Sequence, residues 1–419
     1  MHMNPFTIVF LLALAVTIAV RIWLARRHVR HIQRNRDAVP AEFSREISLE
    51  AHQKAADYST ARTRFNVMHS GVDWAVLLIL TFGGLLQGLD HVARGWFDHP
   101  LLQGTALIAL FTLFTSAVDL PLGYYRTFSI ESRFGFNKMS PAMWLSDVVK
   151  QGVVATAFGL PLVLAVLWLM QSMGAWWWIY VWLVWIAFSI FVLAVYPAFI
   201  APLFNKFSPM EEGALTSRIE ELLAKCGFRS SGLFVMDGSK RSSHGNAYFT
   251  GFGKTKRIVF FDTLISRLEE SEVEAVLAHE LGHFKLNHVL RRMAWTFVVS
   301  LVFLALLGWV KDAAWFYNGL GVAYPASDAM ALILFMLVVP VFTFLLNPLA
   351  ARYSRKHEFE ADAYAARYSS ARELVSALVK LYKDNAATLT PDPVHSAFYD
   401  SHPPARIRIE RLQALAGTR

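Results

Sequence analysis

The chain contains a single cysteine, Cys226, among 419 residues. That excludes an internal disulfide and any metal site built from several cysteines. Charge is also scarce, at 17% of residues against about 25% in an average soluble domain. No internal repeat and no low-complexity linker appears. Together these absences exclude a disordered chain, a coiled coil and a nucleic-acid-binding tail. The 40 lysines and arginines exceed the 32 acidic residues, giving a net charge of +8. In a membrane protein such an excess marks basic loops on the cytoplasmic side.

Hydrophobic residues, by contrast, make up 55% of the chain, with 13 Trp and 32 Phe, and they fall in long uninterrupted runs. A bilayer core is crossed by about 20 apolar residues in helical form. Seven runs qualify, near residues 5–24, 72–90, 101–120, 151–171, 176–203, 293–311 and 329–350. The second and third each carry an acid near one end, Asp90 and Asp119. The first has no basic residue before it and is followed at once by Arg26 and Arg27. A cleaved signal peptide has the opposite charge order, so the run reads as a retained helix with its N-terminus outside. Residues 25–71 hold nine basic residues, from Arg26 to Arg64, whereas 91–100, 172–175 and 312–328 hold only Arg94. The positive-inside rule therefore predicts a multi-pass integral membrane protein with seven crossings, N-terminus out and C-terminus in.

On this reading two polar stretches, 206–292 and 352–419, face the cytoplasm. In the first, an amphipathic helix over 211–226 precedes three strand-like runs: Leu233–Met236, Asn246–Phe252 and Arg257–Phe261. Gly253-Lys254-Thr255 fits a hairpin turn between the last two. A helix follows from about Ser271 to His288. Ser271 and Glu274 form its capping box, and Val273, Val276, Leu277, Leu281 and Phe284 its apolar stripe. The chain thus divides into membrane helices 1–5 (1–205), an α+β domain (206–292), helices 6–7 (293–350) and a C-terminal part of that domain (351–419). The polar domain is interwoven with the membrane helices rather than tethered to them.

The last helix contains His279-Glu280-Leu281-Gly282-His283, an H-E-x-x-H. Histidines at i and i+4 share one helical face, so both imidazoles can reach one zinc ion, with Glu280 beside it as general base. His288, five residues beyond His283, points elsewhere on a continuous helix and is read as a bystander. A catalytic zinc takes a third protein ligand and keeps one position open. The best source is Ser354–Asp362, which continues the last membrane helix in register. Its Glu358 can bind zinc while Asp362, at i+4, supports a ligand histidine. Spacing alone leaves His357 and Glu360 as rivals to Glu358.

The chain resembles the zinc-dependent CAAX prenyl endopeptidases, membrane metalloproteases that process C-terminally prenylated proteins. The resemblance covers nearly the whole chain. It rests on Ile130–Lys138, Tyr196–Phe207, Ser239–Gly251, the HELGH segment, Ser354–Asp362 and Ser401-His402-Pro403-Pro404. It implies seven membrane helices around a water-filled chamber, with an interwoven zincin-like domain at its cytoplasmic end. Carried over by position, it makes His279, His283 and Glu358 the ligands of one Zn²⁺, Glu280 the catalytic base and Asp362 the supporting acid. Asn246–Gly251 is then the strand that pairs with substrate backbone, and His402 and Arg408 lie near the substrate or the developing oxyanion. Ala405 stands where the family often has leucine, a departure expected to be harmless. The expected partners are a peptide or protein substrate, prenylated or not, and the lipid bilayer, without nucleic acid. Two other readings remain open: a membrane quality-control protease with no prenyl requirement, and a seven-helix transporter or receptor with a structural zinc, which would need four protein ligands.

Overall fold

The structure, a computed structural model, describes residues 4–228, 230–250 and 257–417. Its membrane half is built from helices α1 (Pro5–Arg34), α2 (Leu49–Leu80), α3 (Leu85–Trp96), α4 (Pro100–Tyr125), α5 (Pro141–Ser172) and α6 (Trp177–Val195). α4 and α6 run on through widened turns at Arg126–Glu131 and Tyr196–Ile200. Six helical stretches are long and apolar enough to cross a membrane, and a bent pair, α2 with α3, makes a seventh.

The second apolar run is the one that departs from a straight span. α2 begins far upstream at Leu49 and ends at Leu80, and the chain turns by 59° into α3. Gly83 and Gly84 make the turn. Gly84 sits at φ +73°, and a Cβ on Gly83 would lie 2.6 Å from the Ile79 carbonyl oxygen. Only glycine meets both conditions without strain. The basic stretch 25–71 is likewise largely helical rather than a loop. α1 continues to Arg34, and Arg62 and Arg64 belong to α2.

The polar half begins with β1 (Phe207–Pro209), a strand too short to register in the sequence pattern, and α7 (Ala214–Lys225). β2 (Leu233–Met236), β3 (Ala247–Thr250) and β4 (Arg257–Phe261) complete a four-stranded sheet in the order β1-β2-β4-β3. β2 runs parallel to β4, with Met236 opposite Phe261, and β3 antiparallel to β4, with Ala247 opposite Phe260. β3 is therefore an edge strand. Gly251, Phe252 and the turn expected at Gly253-Lys254-Thr255 lie outside the described residues.

Next come α8 (Glu270–Lys285), α9 (His288–Val310), α10 (Asp328–Thr343) and α11 (Asn347–Tyr368). α8 starts earlier than its serine suggests. The capping box is Glu269 with Glu272, and Ser271 instead donates to Glu373 at 2.8 Å. After one tight turn at Phe344–Leu346, α10 continues as α11, so the last span leads directly into the Ser354–Asp362 segment. α12 (Ala371–Asp384), α13 (Pro393–Tyr399) and α14 (Ala405–Gly417) close the chain. Two main cores result. One joins Phe10, Leu107, Leu167, Trp177 and Leu334 among the spans. The other joins Ile219, Phe260, Leu277, Ala365, Leu378 and Leu412, packing the 206–292 and 351–419 stretches into one body.

Candidate metal centre

α8 and α11 build the site by lying very close together. A Cβ on Gly282, the glycine of HELGH, would meet Ala361 Cα and Tyr364 Cβ at 3.0 Å. The bare glycine thus sets the approach of the two helices. At that distance His279, His283 and Glu358 converge, each offering one ligand atom within 4.8 Å of the others. The two Nε2 atoms are 3.2 Å apart, His283 Nε2 is 3.3 Å from Glu358 Oε1, and His279 Nε2 is 3.6 Å from Glu358 Oε2. Ligands about 2.05 Å from a tetrahedral zinc stand about 3.3 Å from one another.

The hydrogen bonds behind these atoms favour a cation. Asp362 Oδ1 lies 2.9 Å from His279 Nδ1. A carboxylate only accepts, so Nδ1 carries the proton and Nε2 turns a lone pair to the centre. Glu358 Oε2 is buried and accepts no hydrogen bond among the described residues, a cost that a bound cation removes. Burial and the Arg408 guanidinium both oppose charge on His279, yet the Asp362 and Glu358 carboxylates outweigh them and raise its pKa above the ordinary histidine value. Two imidazoles and one carboxylate are also the donor set of catalytic zinc, and the residues fit that ion.

Glu280 is half-buried on the same helix, with no ion pair among the described residues to hold its carboxylate. His402 is exposed, with Nε2 3.5 Å from Glu358 Oε2 and Nδ1 3.0 Å from Ser401 Oγ. The surrounding protein hinders its protonation and the positive charge of Arg408 adds to this, so its pKa lies below the usual value despite the opposing Glu358 carboxylate. It shares a cavity of about 680 Å³ with Ser59, Arg62, Asn66 and Ser70 of α2.

Arg408, expected near the substrate or the developing oxyanion, lies beside the ligand residues, with Nη1 3.9 Å from Glu358 Oε2. It is buried, and forks onto Asp362 with Nε–Oδ2 and Nη2–Oδ1 distances of 2.7 Å. Its guanidinium is committed to the acid behind His279 and stays firmly charged: burial opposes the charge, and the Asp362 carboxylate overrides that. Asn246 lies exposed at the start of edge strand β3, its carbonyl accepting from Phe261 N at 3.0 Å. The rivals for Glu358's place, His357 and Glu360, instead meet His288, the first by ring stacking at 4.1 Å and the second with Oε2 2.9 Å from its Nε2.

His288 is not remote. α8 ends at Lys285, and Asn287, at φ 56°, turns the chain before α9 starts. The reversal brings His288 Nδ1 to 3.0 Å from His283 Nδ1. A continuous helix would have carried it away. Among the described residues it forms, with His357 and Glu360, a second group of metal-capable side chains.

Comparison with known proteins bears on this geometry. Residues 28–206 match the family model described as the CAAX prenyl protease N-terminal domain, with five membrane helices, and residues 209–416 match peptidase family M48. A CAAX prenyl protease 1 homolog of Arabidopsis thaliana is 36% identical over 88% of this chain and 88% of its own length. CAAX prenyl protease 1 of Saccharomyces cerevisiae is 34% identical over 90% of this chain and 88% of its own. The crystal structure of Ste24p from S. mikatae superposes with a TM-score of 0.88 at 31% identity, covering 97% of this chain and 99% of that one.

Proposed function

The chain belongs to peptidase family M48 and is a multi-pass membrane metalloprotease of the CAAX prenyl protease family, and from that premise we propose that it cleaves peptide bonds near the C-terminus of prenylated CAAX-type proteins with one zinc ion held by His279, His283 and Glu358. The observation that carries the proposal is the convergence of two imidazole lone pairs and a buried, unsatisfied carboxylate beside an uncommitted Glu280.

When bound, the metal lowers the pKa of a water toward about 7 and polarises a carbonyl. Glu280 takes a proton from the attacking water and returns it to the leaving amine. His402 supplies a hydrogen bond to the carbonyl oxygen as its charge develops, an effect worth about 3 kcal/mol for one well-placed donor. Asp362, clamped by Arg408, fixes the tautomer of His279. An extended peptide adds to the free edge of β3 from Asn246 onward, where main-chain bonds give affinity with little demand on sequence.

The membrane half supports a wet chamber leading to this site. His69 and Asp73 on α2 and Asp119 on α4 cluster at the ends of the second and third apolar runs, with His69 Nε2 3.2 Å from Asp119 and 3.7 Å from Asp73. Ionisable groups at the end of a span face protein or water rather than lipid. In the orientation that the basic residues favour, the N-terminus lies outside and the zinc domain and C-terminus in the cytoplasm.

The test is Glu280→Ala in purified, detergent-solubilised protein assayed on a farnesylated CAAX peptide. Losing the base costs about 10²–10⁴-fold in turnover, with thermal unfolding unchanged. Wild-type activity in that variant overturns the mechanism. Equal cutting of the same peptide without its prenyl group overturns the substrate assignment and favours a quality-control protease.

A further inference from the structure

The two ligand histidines are backed differently. His279 leans on Asp362 directly. Among the described residues no carboxylate lies against His283 Nδ1, whose neighbour at 3.0 Å is His288 Nδ1. Two neutral imidazole nitrogens can share one proton only if one donates and the other accepts, and a third group decides which. That group is Glu360, whose Oε2 lies 2.9 Å from His288 Nε2. The carboxylate accepts, so Nε2 of His288 carries its proton and Nδ1 carries a lone pair. His283 must then donate from Nδ1, which leaves its Nε2 lone pair facing His279 and Glu358. The chain Glu360, His288, His283 therefore ends on the metal position.

The relay is fixed in place. His288 is 1% exposed, and the His357 ring stacks on it at 4.1 Å with the planes 8° apart. Tyr353 packs edge-on against His357 at 4.4 Å. Glu360 is partly open to solvent, with Lys356 3.8 Å from its other oxygen.

We propose that His288 and Glu360 are positioning residues that hold His283 in its metal-binding tautomer through a carboxylate–histidine–histidine relay. The proposal rests on the zinc reading of His279, His283 and Glu358. It makes His288 the counterpart for His283 of what Asp362 is for His279. A supporting partner of this kind is worth about 10–100-fold in metal affinity.

The test measures zinc affinity of the full-length chain in detergent, stripped with a chelator and titrated against a chromophoric competitor. Glu360→Ala changes a partly exposed residue and leaves the fold intact. Its zinc dissociation constant should rise about 10-fold or more. His288→Leu removes the acceptor while keeping bulk and should weaken zinc further. His288→Asn restores a carbonyl oxygen able to accept from His283 Nδ1 and should recover most of the loss, which filling space alone cannot do. Wild-type zinc affinity in Glu360→Ala and His288→Leu overturns the relay. So does a wild-type stoichiometry of two zinc ions falling to one in Glu360→Ala, because His288, His357 and Glu360 would then be ligands themselves. A wild-type chain that takes up no zinc overturns the metal reading as well, and so is distinguishable from failure of the relay alone.

Discussion

Helices pack in two ways in this molecule. In the stretch containing α6, the most apolar window is only 6% buried against the rest of the protein, and in α5 only 17%. Leucines, tryptophans and phenylalanines on these spans and on α4 are left facing outward, Leu113 of α4 and Phe199 among them. Around the metal centre, α8 and α11 approach until a single added methyl group would collide with backbone, and Asp362, Arg408, His279 and His288 are all buried and paired. The difference follows from the surroundings. Lipid is as apolar as leucine, so a span gains little by burying its side chains against another span. A site holding lone pairs and charges together is sustained by close packing and by pairing of its buried charges.

The contrast can be broken first at Asp362. Replacing it by alanine leaves Arg408 buried without its carboxylate, and removing one partner of such a pair costs about 3–5 kcal/mol. Thermal unfolding in detergent should fall markedly, and Asp362→Ala combined with Arg408→Leu should be more stable than Asp362→Ala alone. A single variant as stable as wild type would show that the pair is not needed for packing. A smaller effect is expected from Gly282→Ala. The added methyl group must push α8 from α11, an overpacking cost of about 1–3 kcal/mol, with zinc binding weakened because the ligands sit on both helices. Unaltered zinc affinity would mean that the site tolerates the displacement. The smallest effect sharpens the other side of the comparison. Leu113→Ala, at a residue 67% exposed, should shift stability by less than about 0.5 kcal/mol and leave peptidase activity alone. A loss of several kcal/mol there would reveal close packing in the loose half.

Much of this was legible beforehand, for identifiable reasons. The spans are visible because a bilayer demands about 20 apolar residues in a row. β2 and β4 begin and end at the residues their apolar runs mark, Leu233 to Met236 and Arg257 to Phe261. Separate motif segments were visible as well, but not that they meet: Lys138 N donates to the Arg241 carbonyl at 3.1 Å, and Arg241 pairs with Asp147 at 2.8 Å. The second span hid its bend because a Gly-Gly pair inside an apolar run reads as tolerated rather than broken. The first turn of α8 was misplaced because Glu269 performs the capping expected of a serine. His288 was set aside because helical spacing was extended through Asn287, where the left-handed turn ends it. Asn287 followed by His288 and a new apolar run is a signal that could have exposed the break.

The sequence by itself determined that this chain is a membrane protein, and it placed the histidines of HELGH on one face with Glu280 between them. Those conclusions depend on local rules: the length of an apolar run and the pitch of a helix. Which residue of Ser354–Asp362 faces that helix was a different matter. Glu358 points about 100° or more away from both His357 and Glu360 around α11, while those two, three residues apart, share a face, and the family resemblance favoured Glu358 without a physical reason. The tertiary structure decided it, because contact at Gly282 fixes how α11 is rotated against α8. Arg408 was brought onto Asp362, and His288 to His283, by the same cause. Contacts between elements far apart in the chain are set by packing of whole surfaces, and no local spacing encodes them.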